Sequence, residues 1–521
     1  MANASLFSAD YWQTLQITKK DIEFLHTHLF ENETPLTARE LTGVLIRECI
    51  RVEQESTAAK RQGRGRVYLP QESYREGDEV VFPALNWVRG RVTGTRAGVN
   101  PQLGTFDVLN VEMEDGANCL FAGGLADHSL NHAPVQEDAA ASLDPDAITR
   151  DNGADLEKRL EAALFADDNL VRIAGRWFPK ALLLDVNAGH LNLAEAVLDI
   201  AAGDPLPTEA LMKDVELPAG VNPKLAAFSL NYALQEDGRF DEVGPAGQVL
   251  WCLQRLEPEG VRQVPAALQY VEIPHDRAAL TNQMLSFEAQ LDDELSNLPA
   301  QDDVKDVTVS LLYPHWRAGT LPVSGRAHSL FPTAYESPRV RFTLVDATTG
   351  KKMPAWVVRK HGYVYGLGDW YKANDLVPGG LVRISRGDQP GEVKVEALTR
   401  RATRDWVRTV IVGADGGLVF ALLKQQISVE FNERMVVFVP DPAAVDQVRD
   451  QITKKHQPFQ ETVKMLVRLL VGLNPQGHVH AQELYAALNI VRRTPPAPLL
   501  SVLAGSSEFI HVGDLHYRLD E

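Results

Sequence analysis

Hydrophobic positions along this chain recur with two periods, and the switches between them mark its elements. Between residues 19 and 55 the spacing predicts two helices joined by a turn. In the second, Leu41, Leu45, Cys49 and Val52 share a face, and Thr37 with Glu40 supplies a capping box at its start. The period drops to two in 78–82, 88–92 and 106–112, which predicts a small antiparallel barrel or sheet at about 66–125. Residues 131–155 are rich in Ala, Asp and Pro without periodicity and read as a linker. Runs at 307–312, 340–345, 355–358, 363–365, 381–384 and 393–395 predict a second all-β region over 305–400.

One pattern repeats: an amphipathic helix, a polar turn with an acid, a short apolar pair, a glycine turn and a closing strand. It occurs at 156–178, at 225–251 and at 499–519. A helix followed by a two-stranded hairpin is how a winged helix ends. The preceding helices are present for the middle copy (191–202 and 208–215) and for the last (463–470 and 481–488). For the first copy, one possibility is that the hairpin at 19–55 supplies them, with the β region at 66–125 as an insertion.

The Phe-x-x-Val-Gly ending carries a resemblance. Phe240, Val243 and Gly244, and again Phe509, Val512 and Gly513, stand where the winged-helix domain shared by the RNA polymerase delta subunit, Asx-like chromatin proteins and some restriction endonucleases has its motif. That resemblance covers about a quarter of the chain and implies DNA or transcription-complex association without catalysis. The segment 368–380 is similar to a stretch of the plant transcription-factor type of DNA-binding pseudobarrel, with Gly380 in place of the usual aspartate.

At 521 residues the chain is too long for a single core. We read it as α+β and multi-domain: winged-helix modules plus two small antiparallel β-barrel or sheet domains. The expected divisions are a helical hairpin (1–56), a β domain (57–130), a linker (131–155), a winged-helix region (156–270), a helical connector (271–304), a basic β domain (305–400) and a C-terminal domain ending in a winged helix (401–521). No leader or membrane-spanning stretch is evident, and Cys49, Cys119 and Cys252 are too few and scattered for a disulfide framework, so a cytoplasmic setting is expected, with nucleoid association open to it.

Net charge is −18, which repels phosphate overall, yet residues 313–386 hold eleven Lys/Arg against four acids. Candidate phosphate-binding residues are Lys60, Arg61, Arg64 and Arg66; Arg89, Arg91 and Arg96, in a stretch without acids; Arg339, Arg341, Lys351, Lys352, Arg359 and Lys360 beside Trp356, Tyr363 and Trp370; and Arg492 with Arg493, suited only to neutralising phosphate. The third helix of the last copy, 495–504, offers almost no base-reading side chain, whereas the middle copy has Lys224, Ser229 and Asn231. His128 with His132, and His478 with His480, lack the further ligands that zinc requires. The acids at 292–294 fall on a predicted polar helix, 278–298, and read as a solvated face. With no phosphate loop or nucleophile elbow, the expectation is a non-catalytic DNA- or transcription-associated protein without metal, cofactor, membrane or small-molecule substrate. Its rival is an acidic scaffold whose winged helices grip protein partners.

Overall fold

Short strands and amphipathic helices alternate in the computed structural model, which describes residues 9–61, 65–85, 87–100, 104–131, 144–218, 220–389 and 391–520. Contacts divide the α+β chain into two units: Met1–Arg172 with Arg176–Leu182, and Leu183–Glu521 with Ile173–Gly175.

In the first unit, helix Lys19–Asn32, strand Leu36–Thr37 and helix Ala38–Arg61 are followed, after an insertion, by helix Pro145–Phe165 and strands Leu170–Ile173 and Arg176–Pro179. The two-residue strand closes the sheet, with Leu36 opposite Trp177 and Thr37 opposite Arg176. Ile46, Ile50 and Leu156 bury one face of the two long helices together with Trp12. The linker expected over 131–155 gives way at Asp144, whose side chain caps the helix by accepting from the Asp146 amide at 3.0 Å, with Pro145 in the first turn. Ala and Asp without periodicity concealed a helix because its apolar face is narrow. The insertion is a five-stranded sheet in sequential order, Arg66–Val67, Glu79–Phe82, Val88–Ala97, Asp107–Met113 and Asn118–Gly123. Its first pair is parallel and the rest antiparallel.

The second unit carries the same element order twice more. Helices Ala188–Ile200, Thr208–Leu211 and Pro223–Glu236 accompany strands Leu206–Pro207, Phe240–Glu242 and Leu250–Leu253. Helices Phe459–Val471, Ala481–Val491 and Pro496–Gly505 accompany strands Val479–His480, Phe509–Gly513 and His516–Leu519. In all three copies the two-residue strand pairs antiparallel with the last strand, leaving the last strand central. Helical spacing explains the packing: Val463, Leu466, Val467 and Leu470 are all buried.

Between these copies lies one seven-stranded sheet, in the order Asp306–Ser310, Leu381–Arg386, Glu392–Ala397, Arg339–Asp346, Lys352–Val358, Tyr363–Tyr365 and Thr320–Pro322. Short helices Tyr313–Ala318 and Gly368–Ala373 follow its first and fifth strands in sequence. A long hairpin, Thr399–Val412 with Leu418–Val429, then crosses the boundary expected at 400. One end of it, Ile427 and Val429, packs into the sheet's core; the other, Val410 and Phe420, packs into the C-terminal core. The connector helix is Asn282–Leu291, shorter than expected because Asp292 turns left-handed at φ 49°. Among the described residues no helix is long and apolar enough to cross a membrane.

Candidate nucleic-acid interface

Among the described residues, folding brings seven of the fifteen expected phosphate-binding residues against carboxylates. The side chains of Lys60 and Arg61, and all of Arg64, lie outside the described residues. Arg66 bonds Glu72. Arg89 lies 3.8 Å from Glu114 and Arg91 3.6 Å from Glu79, because antiparallel pairing sets acids from neighbouring strands across from a stretch that has none of its own. Arg96 is exposed with no carboxylate in ion-pair range among the described residues.

The expectation for the basic sheet is corrected residue by residue. Arg339, only 17% exposed at its side chain, is held by Asp241 and, at 3.1 Å, by Glu257. Burial, and then the charge of Asp241, raises the Glu257 carboxyl, so the two acids share one guanidinium. Arg341 lies over the Trp356 ring at 5.5 Å, and its amide donates to the Val243 carbonyl at 2.8 Å. Through Asp241, Asp204 (3.8 Å from Arg341) and the Val243 carbonyl, these two largely buried arginines fasten the sheet to the 188–253 module. Lys352 meets Glu392 at 2.5 Å, while Lys351 is exposed without such a partner among the described residues. Arg492 sits half-buried over Phe459 at 5.5 Å.

Arg493 departs furthest from its expected role. Its side chain is 1% exposed and clamps Asp293 through two bonds of 2.7 and 2.9 Å and Glu294 through one of 2.7 Å. His315 reaches the same Glu294 at 3.0 Å, and Tyr485 donates to Asp293. Burial alone would raise the Glu294 carboxyl, but the charges of Arg493 and His315 hold it well below the carboxylate range. Asp292 is buried too, accepting from Ser324 at 2.5 Å and facing Arg326 at 3.1 Å. The acids at 292–294 therefore form an interior clamp and no solvated face.

Arg359 and Lys360 line a cleft of about 1520 Å³ together with His275, His328 and His361. Arg359 donates to the Ser337 carbonyl at 2.7 Å, and Lys360 is exposed. The same walls hold Glu272, Glu288 and Glu294, which match Arg277, Arg359 and Lys360 in number, and Arg277 is taken by Glu288 at 2.7 Å. Burial and Lys360 keep His361 low.

The third helices offer no reading head. In the middle copy, Ser229 is buried and accepts from the Leu184 amide at 3.0 Å; Asn231 is buried between Thr208 (2.6 Å) and Trp251 (2.9 Å). Only Lys224 of the expected three is exposed. In the last copy, helix Pro496–Gly505 is buried at Leu499, Leu500, Ser501 and Leu503. Helix Pro145–Phe165 carries five acids, at Asp146, Asp151, Asp155, Glu157 and Glu161, against Arg150, Lys158 and Arg159. Among the described residues no group of three or more His, Cys, Asp or Glu could hold a metal. His480 accepts from the Gln482 amide through Nδ1 at 3.0 Å and meets Arg434 through Nε2 at 3.0 Å, so neither ring nitrogen is open. His132 lies outside the described residues.

A basic face missed in the sequence lies on the long hairpin. Register pairs Arg404 with Gln426, Trp406 with Lys424, and Arg408 with Leu422, so these six share one face. Arg401, Arg404 and Lys424 are exposed and have no carboxylate in ion-pair range among the described residues. Trp406 is 65% exposed with the Lys424 ammonium 5.3 Å from its ring centroid. The two strands contain one acid, Asp405, which is on the opposite face and engaged by Arg400 and Thr403. Arginines interleaved with a tryptophan over 400–406 were the available signal. Comparison with protein-family models, with curated proteins and with solved structures finds no match for this chain.

Proposed function

We propose that this chain is a non-catalytic, DNA-associated protein that contacts nucleic acid through the basic face of the 399–429 hairpin. The observation that carries this reading is a pair of cations, Arg404 and Lys424, on one face of the hairpin, with Arg401 exposed just upstream; none of the three has a carboxylate in ion-pair range among the described residues, on a chain whose net charge is −18. On an acidic body such a cluster gives phosphate a favourable approach. The thrice-repeated order of helix, short strand, two helices and two strands supports reading those modules as winged helices. The seven strands with short helices after the first and fifth are in keeping with a pseudobarrel. The buried or acidic third helices argue that the modules serve as structural and protein-contacting units, with the hairpin as the phosphate-binding element.

Retardation of labelled DNA across a salt series tests the reading. Replacing Arg401, Arg404 and Lys424 together by Glu is expected to lower the slope of log affinity against log salt by about 3, roughly one per lost contact. Unchanged retardation by that variant overturns the hairpin assignment. No retardation by the wild-type chain at low salt favours the second reading, an acidic scaffold that binds proteins, which the burial of helix Pro496–Gly505 favours on its own account.

A further inference from the structure

We infer that the Trp406 face binds single-stranded nucleic acid, stacking an unpaired base on the indole while Arg401, Arg404 and Lys424 hold the backbone; this rests on the nucleic-acid reading above. An indole buries more apolar surface than almost any other side chain, so one left 65% exposed in the middle of a strand has no role in this chain's cores. The face around it is mainly cationic and polar, with Leu422 its one exposed apolar neighbour by register. Lys424 stands opposite it, Arg404 two residues before it on the same face, and Arg401 is exposed just upstream. The acid of the hairpin is turned away, bonded to Arg400 and Thr403. The face thus combines an aromatic surface, which stacks any base, with cations beside it that suit a polyanionic backbone.

The shape of the face selects single strands. Both ends of the hairpin are tied into cores, Val410 and Phe420 at one end and Ile427 and Val429 at the other. A ribbon fixed at both ends cannot project into a major groove as a free hairpin would. Within a duplex each base is already stacked on both sides, so a fixed indole reaches only a base that has left the helix. Beyond Gln426 the face continues into a groove of about 840 Å³ that Ala402 and Ser428 also line, with Lys372, which pairs with Asp369, and Asp375 on the same lining. A flexible strand leaving Trp406 has a path there.

The test compares the wild-type chain with Trp406→Ala and Trp406→Phe on three probes: a thymidine oligonucleotide, the same backbone with abasic sites, and a blunt duplex. Trp406→Ala is expected to weaken thymidine binding by about 5- to 150-fold, with Trp406→Phe retaining most of it. The salt slope, about −2 for three backbone contacts on a single strand, should stay the same, and binding of the abasic and duplex probes should not change. Equal losses on thymidine and duplex, or no loss on thymidine, overturn the inference. Wild-type retardation of duplex without retardation of thymidine overturns it while leaving the DNA-associated reading intact; retardation of neither removes both. A wild-type dimer that Trp406→Ala converts to monomer, with oligonucleotide binding unchanged, also overturns it and assigns the face to a second copy.

Discussion

Replacing Arg493 by Met would remove the centre of a buried ionic network and leave two carboxylates behind. The guanidinium accounts for both charge-assisted bonds to the Asp293 carboxylate and one to Glu294, and it also donates to the Asn489 side chain at 3.0 Å. After the change, Asp293 keeps Tyr485 and the Leu295 amide (2.9 Å), and Glu294 keeps His315. Breaking a buried pair from one side costs about 3–5 kcal/mol, because an uncompensated charge stays in a medium that solvates it poorly. Domain stabilities are about 5–15 kcal/mol, so this is a large share. Urea unfolding followed by hydrogen exchange in helix Pro496–Gly505 should show the midpoint falling by about 1–2 M. The deficit should shrink as pH falls below about 4. In the wild type, Glu294 has its pKa held down, so it contributes stability above the unfolded carboxylate value that is lost on acidification. Adding Asp293→Leu to Arg493→Met should recover part of the loss, since an apolar replacement removes the orphaned charge as well. A midpoint shift under about 0.3 M, or strict additivity of the two substitutions, would refute the clamp.

Four further outcomes are expected. Arg339→Met should cost about 2–3 kcal/mol, less than Arg493→Met because the Glu257 carboxyl is already pushed toward its neutral form, and it should leave DNA retardation unchanged at temperatures where the variant is folded. Burial raises Glu242 from 4.5 to about 7, with the Gly244 amide opposing, so its contribution is present below 4.5 and lost as pH rises through 7; Glu242→Gln should flatten the decline in denaturant midpoint over that window. Gly379→Ala should lower stability by about 2 kcal/mol or more in thermal unfolding, since the backbone there is at φ +89° and an added Cβ would meet the Val436 Cα at 2.4 Å. Lys352→Ala should change both stability and DNA affinity little, within about 1 kcal/mol by denaturant titration, because its ion pair with Glu392 is exposed at the lysine end.

The sequence by itself determined the elements and their repetition. Periodicity at 463–470 and the Gly turns of the closing hairpins are local properties, and the structure has a helix at Phe459–Val471 and a strand pair at each repeat's end. Helix ends were less legible: Pro145 begins a helix inside the expected linker, and Asp292 ends one early by a left-handed turn that no apolar spacing signals. Charge was the least legible, because a cation's role depends on what lies opposite it in space. Arg91 looked free in a stretch without acids until strand pairing brought Glu79 alongside. Arg493 looked like a phosphate contact until Asp293 and Glu294, 200 and 199 residues away in sequence, closed on it in the interior. Arg404 and Lys424 stand twenty residues apart in sequence, and only cross-strand register puts them on one face around Trp406. Local patterning fixes backbone conformation because that is decided within a few residues; pairing and burial of charge are decided by neighbours that only the tertiary fold supplies.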